Sequence, residues 1–164
     1  MGSSLQGIAF RSVYNKKWIS LVSRSSGIGT SYQRYEACKD TPDAFCMFTM
    51  NPTMGVFSDV QGNWIMQSPD DPTKLIPYSA VEPPDDNTLN HARFSFTKSE
   101  LGQGTQVSIV TLDKARTWVV DDNGTDQGVL SLATAYTLDY VGDEVAGKLT
   151  FEYWDSVLSP WPPA

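Results

Sequence analysis

Short apolar runs separated by polar turns fill the chain, and apolar residues within a run recur every second position. Ile8 with Phe10, Ile19 with Leu21, and Val107 with Ile109 follow this rhythm, which places both members of each pair on one face of a strand. No segment sustains an apolar period of 3.6, so the pattern predicts an all-β protein with little helix. Three landmarks then repeat. A Trp followed by a branched apolar residue occurs as Trp18-Ile19, Trp64-Ile65 and Trp118-Val119, at spacings of 46 and 54 residues. Upstream of each lies a short apolar strand ending in a hydroxyl: Phe10-Arg11-Ser12, Val56-Phe57-Ser58 and Ile109-Val110-Thr111. Downstream of each lies an alternating aromatic strand, Phe48-Thr49-Met50, Phe94-Ser95-Phe96 or Phe151-Glu152-Tyr153, and Phe48 and Phe94 are again 46 residues apart.

Two independent landmarks with one period indicate three degenerate copies of one unit. The copies span about 7–51, 52–100 and 102–155, followed by a proline-rich tail at 156–164. Each reads as four strands. In the first copy, Gly27-Ile28-Gly29 turns into a third strand through Tyr32, Glu36 to Asp43 reads as loop, and Phe48 and Met50 face inward. In the second, Lys74 to Ile76 is the third strand, and Glu82 to Asn90, with two prolines and three acids, reads as an exposed loop. In the third, Asn123-Gly124 signals a hairpin. The period places Ile19, Ile65 and Val119 at equivalent core positions, with the three Trp and the closing Phe residues filling the barrel and its cap.

Three units of four strands is the arithmetic of a β-trefoil, expected as a single domain over 1–164. The apolar strand, polar turn, aromatic–aliphatic pair and closing Phe-x-Phe resemble the repeats of fascin and hisactophilin domains. The layout is also similar to the ricin-type lectin trefoil, whose hallmark is Gln-x-Trp in each unit. This chain departs from it, since Gln61-Gly62-Asn63-Trp64 is one residue too long. Histidine-rich surfaces like that of hisactophilin are also absent, with His91 the single histidine.

Composition narrows the function. The 164 residues are 40% apolar and 19% charged, which suits one globular core. The net charge of −7 disfavours nucleic acid and anionic membrane surfaces as partners. No apolar stretch is long enough to cross a bilayer as a helix. The N-terminus has neither a charged nor an apolar leader segment, so the expected location is cytoplasmic, or outside the cell by a route without a conventional signal peptide. Cys38 and Cys46 are then expected as free thiols.

Catalytic and cofactor signatures are missing. There is no Gly-x-Ser-x-Gly elbow, the glycine pairs lack the rest of a phosphate-binding fingerprint, and two Cys with one His fall short of a zinc set. Asp121 to Asp126 fails as a calcium loop, with Asp126 where glycine is needed. The expectation is therefore no metal, no cofactor and no enzyme. Small single-domain trefoils with acidic surfaces and no leader resemble the cytoplasmic lectins of fungi, and that resemblance implies glycan partners. The residues suited to hold sugar are aromatics beside Asp or Asn: Tyr14 and Asn15 in the first unit; Asp59, Asn63 and Tyr78 in the second; Asp113, Asp121, Asn123 and Tyr136 in the third. The competing readings are a protease-inhibiting trefoil, which would bind a protein through a loop, and a fascin-like actin-binding domain.

Overall fold

The computed structural model describes residues 6–25, 29–51, 55–79, 86–96, 104, 106–121, 128–134 and 148–153. The strands are β1 (Gln6–Ser12), β2 (Trp18–Ser25), β3 (Ser31–Lys39), β4 (Phe48–Asn51), β5 (Val56–Ser58), β6 (Trp64–Gln67) and β7 (Leu75–Tyr78). They continue with β8 (Phe94–Phe96), β9 (Gln106–Val107), β10 (Ile109–Thr111), β11 (Arg116–Asp121), β12 (Val129–Thr134) and β13 (Leu149–Tyr153). A single turn of 3-10 helix covers Ala44–Cys46, and a short helix α1 covers Asp86–His91.

The pairing closes a ring. β1 pairs with β4, β4 with β5, β8 with β10, β9 with β13, and β13 with β1, all antiparallel. The bridge from Val56 to Arg93 and the bond from Phe94 N to Gly55 O close the gap between β5 and β8. β9 and β10 are one strand interrupted at Ser108, so six staves form the barrel. Three hairpins, β2–β3, β6–β7 and β11–β12, cap one end. This is a β-trefoil, and the all-β expectation holds. Among the described residues, closure gives each stave a neighbour on both sides.

The barrel is filled by rings. Phe10, Phe48, Phe57, Phe94, Trp118 and Phe151 are all buried in one cluster with Ile8, Ile19, Ile65, Ile109 and Leu149, and Phe96 packs against it. Phe48 and Met50 do face the core, as the period requires. The hairpins tie the units together above this core. Tyr35 Oη of β3 donates to Asp59 Oδ2 at 2.9 Å. Ala37 N donates to Gly128 O at 2.7 Å, and Leu132 N to Thr73 O at 2.9 Å. Gly128 is required at the second of these: its φ is +77°, and a Cβ there would sit 2.8 Å from the Ala37 carbonyl oxygen.

Four expectations need correction. First, β3 runs to Lys39, through part of the stretch read as loop. Its polar Glu36 is buried between Arg24 and Arg34, a pairing that lets a charged residue occupy a strand interior. Second, the end of the supposed loop at Glu82–Asn90 is helical from Asp86, and Leu89 packs against a cluster with Met66 and Ala92. Third, Trp18 and Trp64 do not fill the barrel; each is half-buried in a satellite cluster, and Trp118 alone of the three enters the core. Fourth, the third unit slips by one residue. The hairpin registers align Arg11↔Trp18 with Ser58↔Trp64 and with Val110↔Thr117. The partners of Ile19 and Ile65 in the core are thus Trp118, not Val119, which lies on the opposite face.

Trp118 sits between Phe10, Phe57 and Phe94 at ring-centroid distances of 5.9, 5.4 and 5.3 Å. Its indole N–H has no nitrogen or oxygen partner among the described residues. We predict that Trp118→Ala costs about 3–5 kcal/mol, in the range for large core truncations, and Val119→Ala about 1 kcal/mol. Urea denaturation of both variants checks the register, and equal costs would refute it.

Candidate functional site

The first hairpin turn of every unit begins at one equivalent position, occupied by Ser12, Asp59 and Thr111. All three are buried, and each uses a side-chain oxygen to hold its own turn. Ser12 Oγ accepts from the amides of Tyr14 and Asn15 at 3.2 and 3.4 Å. Asp59 Oδ1 accepts from the amides of Gln61 and Asn63 at 2.9 and 3.1 Å. Thr111 Oγ1 accepts from Arg116 N at 3.2 Å. The backbone then turns through a left-handed residue, Lys16, Gly62 or Lys114, at φ of 63°, 84° and 62°. Short polar side chains suit this work because they bond locally to amides that no ladder satisfies.

Most of the residues expected to bind sugar sit at these turns. Asn15 Oδ1 accepts from Lys17 N at 3.0 Å, and its amide donates to Ala37 O at 3.0 Å. Tyr14 beside it is 44% exposed. Asp59 and Asn63 are brought together as expected, and Tyr78 pairs in register with Trp64 next to Asn63. The Trp64 and Tyr78 rings lie 6.5 Å apart. The Asp59 carboxylate, however, is fully engaged: one oxygen binds two turn amides and the other binds Tyr35, in a place with almost no solvent access. Burial, and then the Asp59 charge, push the Tyr35 hydroxyl far above the usual tyrosine range, so it stays a donor. Asp121 ends β11, while its side chain and the whole of Asn123 and Tyr136 lie outside the described residues.

Asp113 differs from Asp59 in lying at a cleft. Its Oδ1 accepts from Ala115 N at 3.0 Å and from Thr111 Oγ1 at 2.7 Å. Those two bonds, the amide first, hold its carboxyl below the usual range and keep it ionised at neutral pH. The cleft has a volume of about 310 Å³ and lies between the second and third units. Gln67 closes it from the end of β6, Asn90 and His91 from α1, and Leu112, 51% exposed, from the same turn as Asp113. Gln67 is fixed by donation from its amide to Pro72 O at 3.0 Å. The result is a carboxylate, two carboxamides and an imidazole around one apolar side chain. Such groups accept from and donate to hydroxyls. Nothing in the sequence assigns Gln67, Asn90, His91 and Leu112 to one site. Only Leu112, an apolar residue in a turn of charged ones, stands out in the sequence.

The sequence matches no protein-family model and no curated protein. Solved structures resemble the fold. The lysenin pore has a TM-score of 0.62 at 13% identity, over 90% of this chain and 45% of that one. Lysenin complexed with phosphocholine has a TM-score of 0.58 at 13% identity, covering 90% and 44%. The designed 3-fold symmetric protein ThreeFoil has a TM-score of 0.59 at 10% identity, covering 89% and 97%. This chain thus spans less than half the length of the lysenin chains. Across such divergent sequences the likeness establishes the β-trefoil fold.

The capping role of Asp59 has a direct test. Asp59→Ala leaves two amides and a buried phenol without an acceptor, and we predict a loss of about 2–4 kcal/mol. The folded variant is expected to keep the ligand affinity of the parent, measured by calorimetry beside the melting curve. Lost binding at an unchanged melting temperature would assign Asp59 to a ligand instead.

Proposed function

We propose that the chain is a lectin-like carbohydrate-binding module that holds its sugar in the cleft between the second and third units and leaves it chemically unchanged. The observation that carries this reading is the position of Asp113. Suited to sugar by sequence, it also lines a cleft, with Gln67, Asn90 and His91 as further hydrogen-bonding groups and Leu112 as an apolar surface. A cavity of about 310 Å³ lies in the size range of small-ligand sites. An ionised carboxylate accepts from two sugar hydroxyls with the strength of charge-assisted bonds. The carboxamides donate to the ring and hydroxyl oxygens, and Leu112 meets the C–H face. Lysenin with phosphocholine lends general support, as a similar fold that accepts a small polar ligand.

A glycan array on the purified protein identifies the sugar. Titration calorimetry then compares Asp113→Asn and Asn90→Ala with the parent. Each is expected to weaken binding about tenfold, or roughly 1.4 kcal/mol, the size of a charge-assisted or well-placed hydrogen bond. A blank array, or a hit whose affinity neither substitution changes, would reject this cleft as the site.

A further inference from the structure

The described wall of the Asp113 cleft holds more open hydrogen-bond acceptors than donors once its internal bonds are subtracted. Thr111 Oγ1 is spent: it donates to Asp113 Oδ1 at 2.7 Å and accepts from Arg116 N at 3.2 Å. Asp113 Oδ1 is spent too, on that hydroxyl and on Ala115 N at 3.0 Å. Asp113 Oδ2 receives no hydrogen bond from any other described residue. Gln67 is oriented by its own anchor. Pro72 O is a carbonyl and can only accept, so the Gln67 atom 3.0 Å from it is the amide nitrogen. The end of that carboxamide left without a partner among the described residues is Oε1. Asn90 is exposed, and neither end of its carboxamide is bonded among the described residues. Setting aside His91, which has an interaction of its own within the protein, the open atoms are Asp113 Oδ2, Gln67 Oε1, Asn90 Oδ1 and Asn90 Nδ2. The first three of these accept, and the last alone donates.

Charge points the same way. Asp113 is the acidic residue among the described ones that line the cleft. The Ala115 amide, and then the Thr111 hydroxyl, hold its carboxyl below the usual range and therefore ionised. Lys114 and Arg116 flank it in the chain, but neither is among the lining residues. Among the described residues neither forms an ion pair with it, and Arg116 is the weakest of the influences on its carboxyl. The open oxygen of Asp113 thus meets a ligand with no described cation in contact with it.

On the reading of this cleft as the sugar site, on which the inference rests, we propose that it selects an amino sugar, a pyranose whose free ammonium group binds Asp113 Oδ2. An ammonium carries three donors, no acceptor and the complementary charge. It therefore matches a wall of acceptors better than a neutral hydroxyl, which brings lone pairs of its own. An N-acetyl group replaces the charge with one N–H and one carbonyl, and a uronate sets a second carboxylate against Asp113. Leu112, 51% exposed, remains available to the C–H face of the ring.

Titration calorimetry with glucosamine, glucose, N-acetylglucosamine, glucuronate and ethanolamine separates these chemistries. Glucosamine is expected to bind at least about tenfold tighter than each of the others, with affinity falling as salt rises. Asp113→Asn keeps an oxygen for the two turn bonds but loses the charge. It is expected to bring glucosamine and glucose within about twofold of each other, at an unchanged melting temperature. Asp40→Asn removes the same charge from an exposed position in the first unit and should leave glucosamine affinity within about twofold of the parent. Glucose bound as tightly as glucosamine, and lost on Asp113→Asn, would keep the sugar reading of the cleft and overturn the amino-sugar preference. Ethanolamine bound as tightly would leave the ring without a role and overturn that preference as well. So would a preference for glucosamine that survives Asp113→Asn. No binding of any sugar, in calorimetry or on the array, would overturn both.

Discussion

Phe10 is the residue on which the three units converge. Its ring touches those of Phe48, Phe57, Phe96, Trp118 and Phe151, with centroids between 5.9 and 6.4 Å away. Several of these contacts are edge-on, the arrangement that the ring quadrupole favours. Phe57 occupies the position of Phe10 in the second unit, and Ile109 takes it in the third. The threefold plan therefore does not need identical residues. It needs an apolar side chain of sufficient volume at that point of each unit, and the three units share a single core because their rings reach one another. Trp118 shows how the plan absorbs divergence. It stands where the other units have Ile19 and Ile65, and its extra volume brings it against Phe94 and Phe57 from the third unit.

That core sets what remains for the surface. Three capped turns hold the ends of the first hairpins, and their polar side chains bond inward or along their own backbones. Among the described residues, clefts lie at the joins, one between the second and third units and one where the three hairpins meet. Both lie where neighbouring units approach without fully pairing, so concave surface arises at the seams of the repeat rather than in its turns.

Much of this was legible in the sequence. The alternation of Ile8 with Phe10 and the 46-residue period define strands, units and most of the core. The slip at Trp118 is hidden because a repeated residue type need not mark a repeated position, and either face of a strand can carry a Trp. Glu36 reads as loop by polarity, and only the tertiary approach of Arg24 and Arg34 makes it a strand residue. The helix at Asp86–His91 is too short to display a period. The same limit applied to binding. The sequence concentrates Asp and Asn at turns, but whether a turn carboxylate faces a cleft, like Asp113, or a buried phenol, like Asp59, depends on which unit lies next to it.

The central claim is that one aromatic core makes the three units a single cooperative structure. Native-state amide hydrogen exchange in low denaturant tests it most directly. Leu21, Met66 and Val120 lie on the first strands of the three hairpins. If the claim holds, their amides exchange through the same global opening, with one free energy and one denaturant dependence. A unit whose amides open independently, at a free energy several kcal/mol below the others, would contradict it.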